Sequence, residues 1–81
     1  MSAASAAAIR DGLGRLRWST TDLWRAALGV GGAFSTGDVE ALASGERDAT
    51  RSEHDILASA LNDHFLDWGG DHPVPYWRDL P

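Results

Sequence analysis

Arg51-Ser-Glu-His-Asp-Ile-Leu-Ala-Ser-Ala-Leu-Asn-Asp-His-Phe-Leu-Asp-Trp68 is the stretch on which the fold turns. Ile56, Leu57, Ala60, Leu61, Phe65 and Trp68 recur at three- and four-residue intervals, so they fall on one broad face of a helix. Ser59, Asn62 and Asp63 fall on the other face, and Gly69 and Gly70 stop the helix. Its start is marked by Thr50 and Glu53. A hydroxyl at the N-cap accepts an orphan amide, while a carboxylate three residues later answers from the first turn and complements the helix dipole.

The same signature occurs twice upstream, as Ser19…Asp22 and Ser35…Asp38. After Ser19, the residues Leu23, Trp24, Ala27 and Leu28 share an arc opposite Asp22, Arg25 and Ala26, which predicts a helix from Thr20 to about Leu28. Gly29, Gly31 and Gly32 then make a loop in which Val30 and Phe34 are expected to point back to the core. After Ser35, a short helix from Thr36 to about Ser44 buries Val39, Leu42 and Ala43, with Gly45 placed for a left-handed C-terminal cap. Ile9, Leu13 and Leu16 form a weaker stripe over residues 9–18, because Gly12 and Gly14 each cost roughly 1 kcal/mol against alanine in a helix.

Outside these segments the signals change. Residues 1–8 are small and weakly apolar and read as a disordered lead-in. Asp71-His-Pro-Val-Pro-Tyr-Trp-Arg-Asp-Leu-Pro81 cannot be helical through its prolines and reads as extended. The expected architecture is a single all-α domain over residues 9–81. It is a small bundle of three helices, a weaker N-terminal helix and an extended Pro/aromatic tail over 69–81.

At 81 residues the chain is one domain with a modest core, burying roughly 60% of its unfolded surface. Four tryptophans enlarge that core, and the absence of cysteine excludes disulfides and thiolate metal sites. All seven basic residues are arginine, a compositional bias rather than a functional signal. Charge is uneven. Residues 1–34 carry four arginines against two aspartates, whereas residues 35–81 carry ten acids against three arginines, giving −5 in all. Such a body repels phosphate backbones and favours a neutral or basic partner. No stretch is apolar enough to span a membrane, and Ala3–Ala8 lacks the features of a secretory signal, so a cytoplasmic protein is expected.

Chemistry-bearing residues are sparse. His64 lies in the apolar arc of the last helix with Asp67 one turn on. A general base or metal ligand is one reading; a core-edge histidine tied to a neighbouring carboxylate or carbonyl is favoured, because no nucleophile or second ligand has diagnostic spacing. His54 and His72 complete no metal pattern, and the glycines at 29–32 follow a helix rather than a strand, unlike a phosphate loop. No catalytic, cofactor-binding or metal-ligating residue, and no small-molecule ligand, is expected. Trp68, Val74, Tyr76, Trp77 and Leu80 put large apolar groups in a short irregular segment. Exposed, they would anchor a partner; folded over the last helix, they would complete the core and cover Leu66.

Two resemblances follow. Asp22 to Val30, then Ser35 through Arg47, then Leu57 to Leu61 resembles the layout of lambda-repressor-type helix-turn-helix domains, which implies a recognition helix in the major groove. Here the turn is lengthened by Gly31-Gly-Ala-Phe34, and the would-be recognition helix offers Asp38, Glu40, Ala41 and Ser44, with Arg47 the one basic group beside it. More broadly, Leu23-Trp24, Ala27–Gly32, Asp38–Leu42, Glu53–Asp63 and Asp71–Tyr76 are similar to a group of small actinobacterial helical proteins. That resemblance covers about residues 22–79. Its motifs are packing and turn residues, so it implies a fold and carries over no activity.

The functional expectation is a non-catalytic protein-interaction or regulatory module, with a helix-turn-helix transcriptional regulator as the alternative. The expected contact surface joins Tyr76, Trp77 and Arg78 of the tail to Asp63 and Asp67. The partner would be a protein or a second copy, with neither nucleic acid nor membrane favoured.

Overall fold

A computed structural model of the chain describes residues 2–67 and 73–81. Four helices follow in order: α1 (Ser2–Leu16), α2 (Thr20–Gly29), α3 (Thr36–Ser44) and α4 (Arg51–Asp67). A one-turn 3-10 helix, Trp77–Asp79, closes the chain. The protein is an all-α bundle in which α4 packs on α1 and α2, while α3 packs on both α1 and α2.

All three expected capping boxes form. Ser19, Ser35 and Thr50 accept from the amides of Asp22, Asp38 and Glu53 at 3.2, 3.1 and 3.1 Å. Each carboxylate in turn accepts from its cap amide, at 2.9, 3.0 and 2.9 Å. Gly45 takes the left-handed conformation, φ 86°, at the end of α3. Arg17 holds the corresponding place after α1 with φ 56°. There the Trp18 amide donates to Leu13 O at 2.9 Å and the Arg17 amide to Gly14 O at 3.3 Å, a Schellman closure built on a non-glycine residue.

α1 is longer than its sequence stripe suggests. The segment expected to be a disordered lead-in is helical from Ser2, and it carries buried Ser5 and Ala6. Alanine has the highest helix propensity, and packing supplies the remainder, because Ala6 approaches Gly45 and Ser5 is bonded to α4. Ile9, Leu13 and Leu16 are buried as expected.

The core joins these residues to Leu23, Ala27, Val39, Leu42, Ala43, Leu57, Ala58, Leu61 and Val74, with Trp18, Trp24, Phe34, Tyr76 and Trp77 packed around its edge. Two expectations for α2 fail. Leu28 is 48% exposed and Val30 36% exposed, whereas both were placed against the core. The loop after α2 is held instead by Trp24, whose indole N–H donates to Phe34 O at 2.7 Å. That bond fixes Phe34 inward and leaves the helix end facing solvent.

The tail is also more ordered than a purely extended segment. Pro73–Tyr76 runs along α4, after which the amides of Asp79 and Leu80 donate to Tyr76 O and Trp77 O and form the 3-10 turn. Trp77, Arg78 and Asp79 stand between Pro75 and Pro81, free of the proline restraint that governs the residues around them. Trp68, Gly69, Gly70, Asp71 and His72, for which the sequence predicts a helix stop and an extended start, lie outside the described residues.

Candidate functional site

α4 buries a face rotated from the one its apolar residues define. His54, Leu57, Ala58, Ala60, Leu61 and Asn62 are buried, whereas Ile56, Ser59 and Phe65 are half-buried and Asp63 is exposed. Asn62 sits 1% exposed on what the sequence reads as the polar side. The tail is the reason. An extended backbone laid on a helix needs partners for its own amides and carbonyls, and α4 supplies them from polar side chains. Asn62 Nδ2 donates to Val74 O at 2.9 Å, and its Oδ1 accepts from the Val74 amide at 3.1 Å. Asp55 Oδ1 accepts from the Trp77 amide at 2.8 Å. Val74 itself fills a notch over α1, where Gly12 lacks a side chain. A Cβ at Gly12 would come within 2.9 Å of Val74 Cγ2 and 3.0 Å of Leu61 Cδ1.

His54 is the other buried polar group of this face, fully enclosed. Its Nε2 lies 2.8 Å from Pro75 O, and its Nδ1 lies 2.7 Å from Ser5 Oγ. A carbonyl oxygen can only accept, so Nε2 carries a proton, and in the neutral ring Nδ1 accepts from the Ser5 hydroxyl. The imidazole thereby joins the first turn of α1 to the tail, and the Trp77 ring meets it edge-on at 6.1 Å. A hydroxyl bonded to an imidazole that is oriented by a carbonyl has the connectivity of an activated nucleophile. Ser5 and His54 are both 0% exposed, so this arrangement offers the hydroxyl to no substrate. The pair works as a structural tie. Among the described residues, every buried side-chain polar atom has a hydrogen-bond partner, and no group of three His, Asp or Glu residues could hold a metal ion.

The residues expected to form one contact surface are divided. Tyr76 and Trp77 are half-buried and pack against the core, while Arg78 projects into solvent beside Asp79, 3.9 Å away. Trp77 borders a small depression with Ala4, Leu80 and Pro81. Asp63 lies two helical turns beyond Asp55 and borders a different hollow, with Trp18, Ala26, Gly29, Val30 and His64. Asp67 is the last residue of α4, and its side chain lies outside the described residues. The tail aromatics therefore serve the core first. His64, the histidine favoured as a core-edge group, is half-buried with its ring 4.7 Å from that of Trp18.

A second exposed apolar surface, absent from the sequence reading, lies at the end of α2. Leu28 and Val30 stand exposed at the end of α2, and Val30 borders two adjoining hollows. One runs to Ile56, Arg51 and Asp55 on α4; the other runs to Trp18, Ala60 and Asp63. Single exposed apolar residues are ordinary, but here Val30 borders both hollows and exposed Leu28 stands two residues before it.

The helix-turn-helix layout meets a different electrostatic outcome. Arg47, the basic group beside α3, donates to Asp38 Oδ1 at 3.0 Å and to Glu53 Oε2 at 2.8 Å. It bridges two capping carboxylates, so its charge is met within the protein. Asp38 and Asp22 are held below the ordinary carboxylate range, first by the cap amides of Ser35 and Ser19 and then by the serine hydroxyls.

His54 and Asn62 are the residues that sequence reasoning missed. They lie four residues either side of Ala58, along the line of the buried stripe, and polar residues in that position are the available signal. Among the described residues, no helix is long and apolar enough to cross a membrane. No protein-family model, curated protein or solved structure matches this chain.

Proposed function

We propose that the chain is a non-catalytic protein-interaction module that receives its partner on the Leu28–Val30 surface. The observation that carries the reading is the exposure of Leu28 and Val30, with Val30 on the border of the hollows leading to Ile56 and Trp18. Leu28 and Val30 are 48% and 36% exposed, so completing their burial in a partner is worth roughly 0.5–1.5 kcal/mol each. Asp63, exposed on the border of the Trp18 hollow, favours a partner whose apolar anchor is flanked by arginine or lysine, in keeping with the net charge of −5.

The sealed Ser5–His54 pair supports a structural rather than a chemical use of this hydroxyl–imidazole geometry.

Affinity capture from native lysate with immobilised full-length chain tests this reading. A protein retained by wild type and lost from the Leu28→Asp/Val30→Asp variant, with helix content unchanged by circular dichroism, is the expected result. Retention of the same proteins by both forms would exclude this surface. A Trp77→Ala control is expected to retain the partner, whereas its loss there alone would return the contact to the tail.

A further inference from the structure

Residues 73–81 lie on the helices as a bound peptide would, and the groups that hold them read main-chain atoms. Asn62 takes both the amide and the carbonyl of Val74, His54 takes the carbonyl of Pro75, and Asp55 takes the amide of Trp77. One side chain enters a shaped notch, Val74 between Gly12 and Leu61. We infer that the α1–α4 groove is an extended-peptide site whose second occupant is residues 73–81 of another copy of this chain, exchanged between molecules.

The chemistry of the contact supports exchange. Each hydrogen bond above runs from α4 to the strap, and none depends on the strap belonging to the same molecule. A second copy brings the same backbone and the same valine, so a groove satisfied in cis is satisfied identically in trans. Pro73, Pro75 and Pro81 hold their own φ near the extended value, and prolines restrict the residues before them. The strap is thus partly ordered before it binds, which reduces the entropy lost on docking. Val74 followed by Tyr76 and Trp77 gives the groove a small β-branched anchor and then two rings at the core edge. The strap's own chain competes at an effective concentration on the order of mM, so dilute protein stays monomeric and exchange belongs to crowded or tethered copies. This inference uses the strap alone and stands apart from the Leu28–Val30 surface.

Two full-length variants separate groove from strap. Asn62→Ala keeps the strap and removes the amide that reads it; Val74→Asp keeps the groove and spoils the strap. Mixed at about 100 µM each, the pair is expected to complement, because one complete contact forms between molecules. Sedimentation then shows a species of about twice the 8.7 kDa chain mass. The helical circular-dichroism signal of the mixture melts above that of either variant, and each variant alone remains monomeric. A monomeric mixture that melts as the sum of its parts overturns the inference.

Where Val74→Asp is unfolded on its own, the wild-type chain decides. A fluorescein-labelled peptide of residues 73–81 is titrated with full-length protein to about 1 mM. The expected anisotropy rise is about half complete near 1 mM, because the protein's own strap competes, and it is absent for the same peptide carrying Val74→Asp. No rise, or the same rise with both peptides, overturns the inference. Binding to wild type that is abolished by Leu28→Asp instead would reassign the peptide to the other surface.

Discussion

Gly12 and Gly14 stand two residues apart in α1, and replacing each by alanine is expected to change stability in opposite directions. In a helix interior, alanine is favoured over glycine by about 1 kcal/mol. A Cβ at Gly14 meets nothing within 4 Å, so Gly14→Ala keeps that gain. At Gly12 the added carbon falls 2.9 Å from Val74 Cγ2 and 3.0 Å from Leu61 Cδ1. Val74 cannot rotate away cheaply: it is β-branched, buried, and fixed on both backbone groups by Asn62. Forcing a methyl into such a site costs about 1–3 kcal/mol, so Gly12→Ala nets between roughly 0 and 2 kcal/mol of destabilisation. The gap between the variants is then about 2 kcal/mol, and at roughly 4–8 °C per kcal/mol for a domain of this size the midpoints differ by roughly 8–16 °C. Thermal and urea unfolding followed at 222 nm read the gap directly. The mechanism is isolated by a double-mutant cycle with Val74→Ala, which removes the clashing methyl and should recover at least part of the Gly12→Ala penalty. Equal stabilisation by the two alanines, or cycle energies additive within about 0.5 kcal/mol, would refute the notch.

Other expectations follow from the same contacts. Asn62→Ala leaves the amide and carbonyl of buried Val74 without partners, a loss of about 2–4 kcal/mol capped by release of the strap, whereas exposed Asp63→Ala should stay within about 0.5 kcal/mol; urea midpoints compare them. Arg17→Gly relieves a left-handed arginine and is expected to stabilise by roughly 0.5–1 kcal/mol in the same assay. The carboxyls of Asp22 and Asp38 have lowered folded values, so their stabilisation is present above the unfolded value near 3.8 and is lost as pH falls through the folded values. Urea midpoints from neutral pH into acid should therefore decline less for Asp22→Asn/Asp38→Asn than for wild type, and an unchanged decline would refute the assignment. Ser5→Ala leaves His54 Nδ1 buried without its hydroxyl partner and should cost about 1–3 kcal/mol, readable as a lower melting midpoint.

What could be read beforehand was local. The three capping boxes, the glycine after α3 and the starts of α2, α3 and α4 depend on residues within four positions of one another, and each formed. The two α1 glycines looked equivalent because their difference lies in Val74, sixty-two residues from Gly12. Asn62 read as solvent-facing because side-chain polarity alone cannot say that a backbone will be laid on it. Leu28 and Val30 read as core because amphipathic spacing assumes a cover, whereas the Trp24–Phe34 bond turns the loop away and leaves them bare. The site, unlike the helices, is made by long-range placement, so its residues carried weak local signals.

The imidazole of His54 touches Ser5 on one nitrogen and Pro75 on the other, so the beginning and the end of the polypeptide meet across a single ring. A circular permutant that joins residues 1 and 81 by a short linker and opens the chain at exposed Gly31 would keep every helix intact. It would also convert a tether of hydrogen bonds into a covalent one.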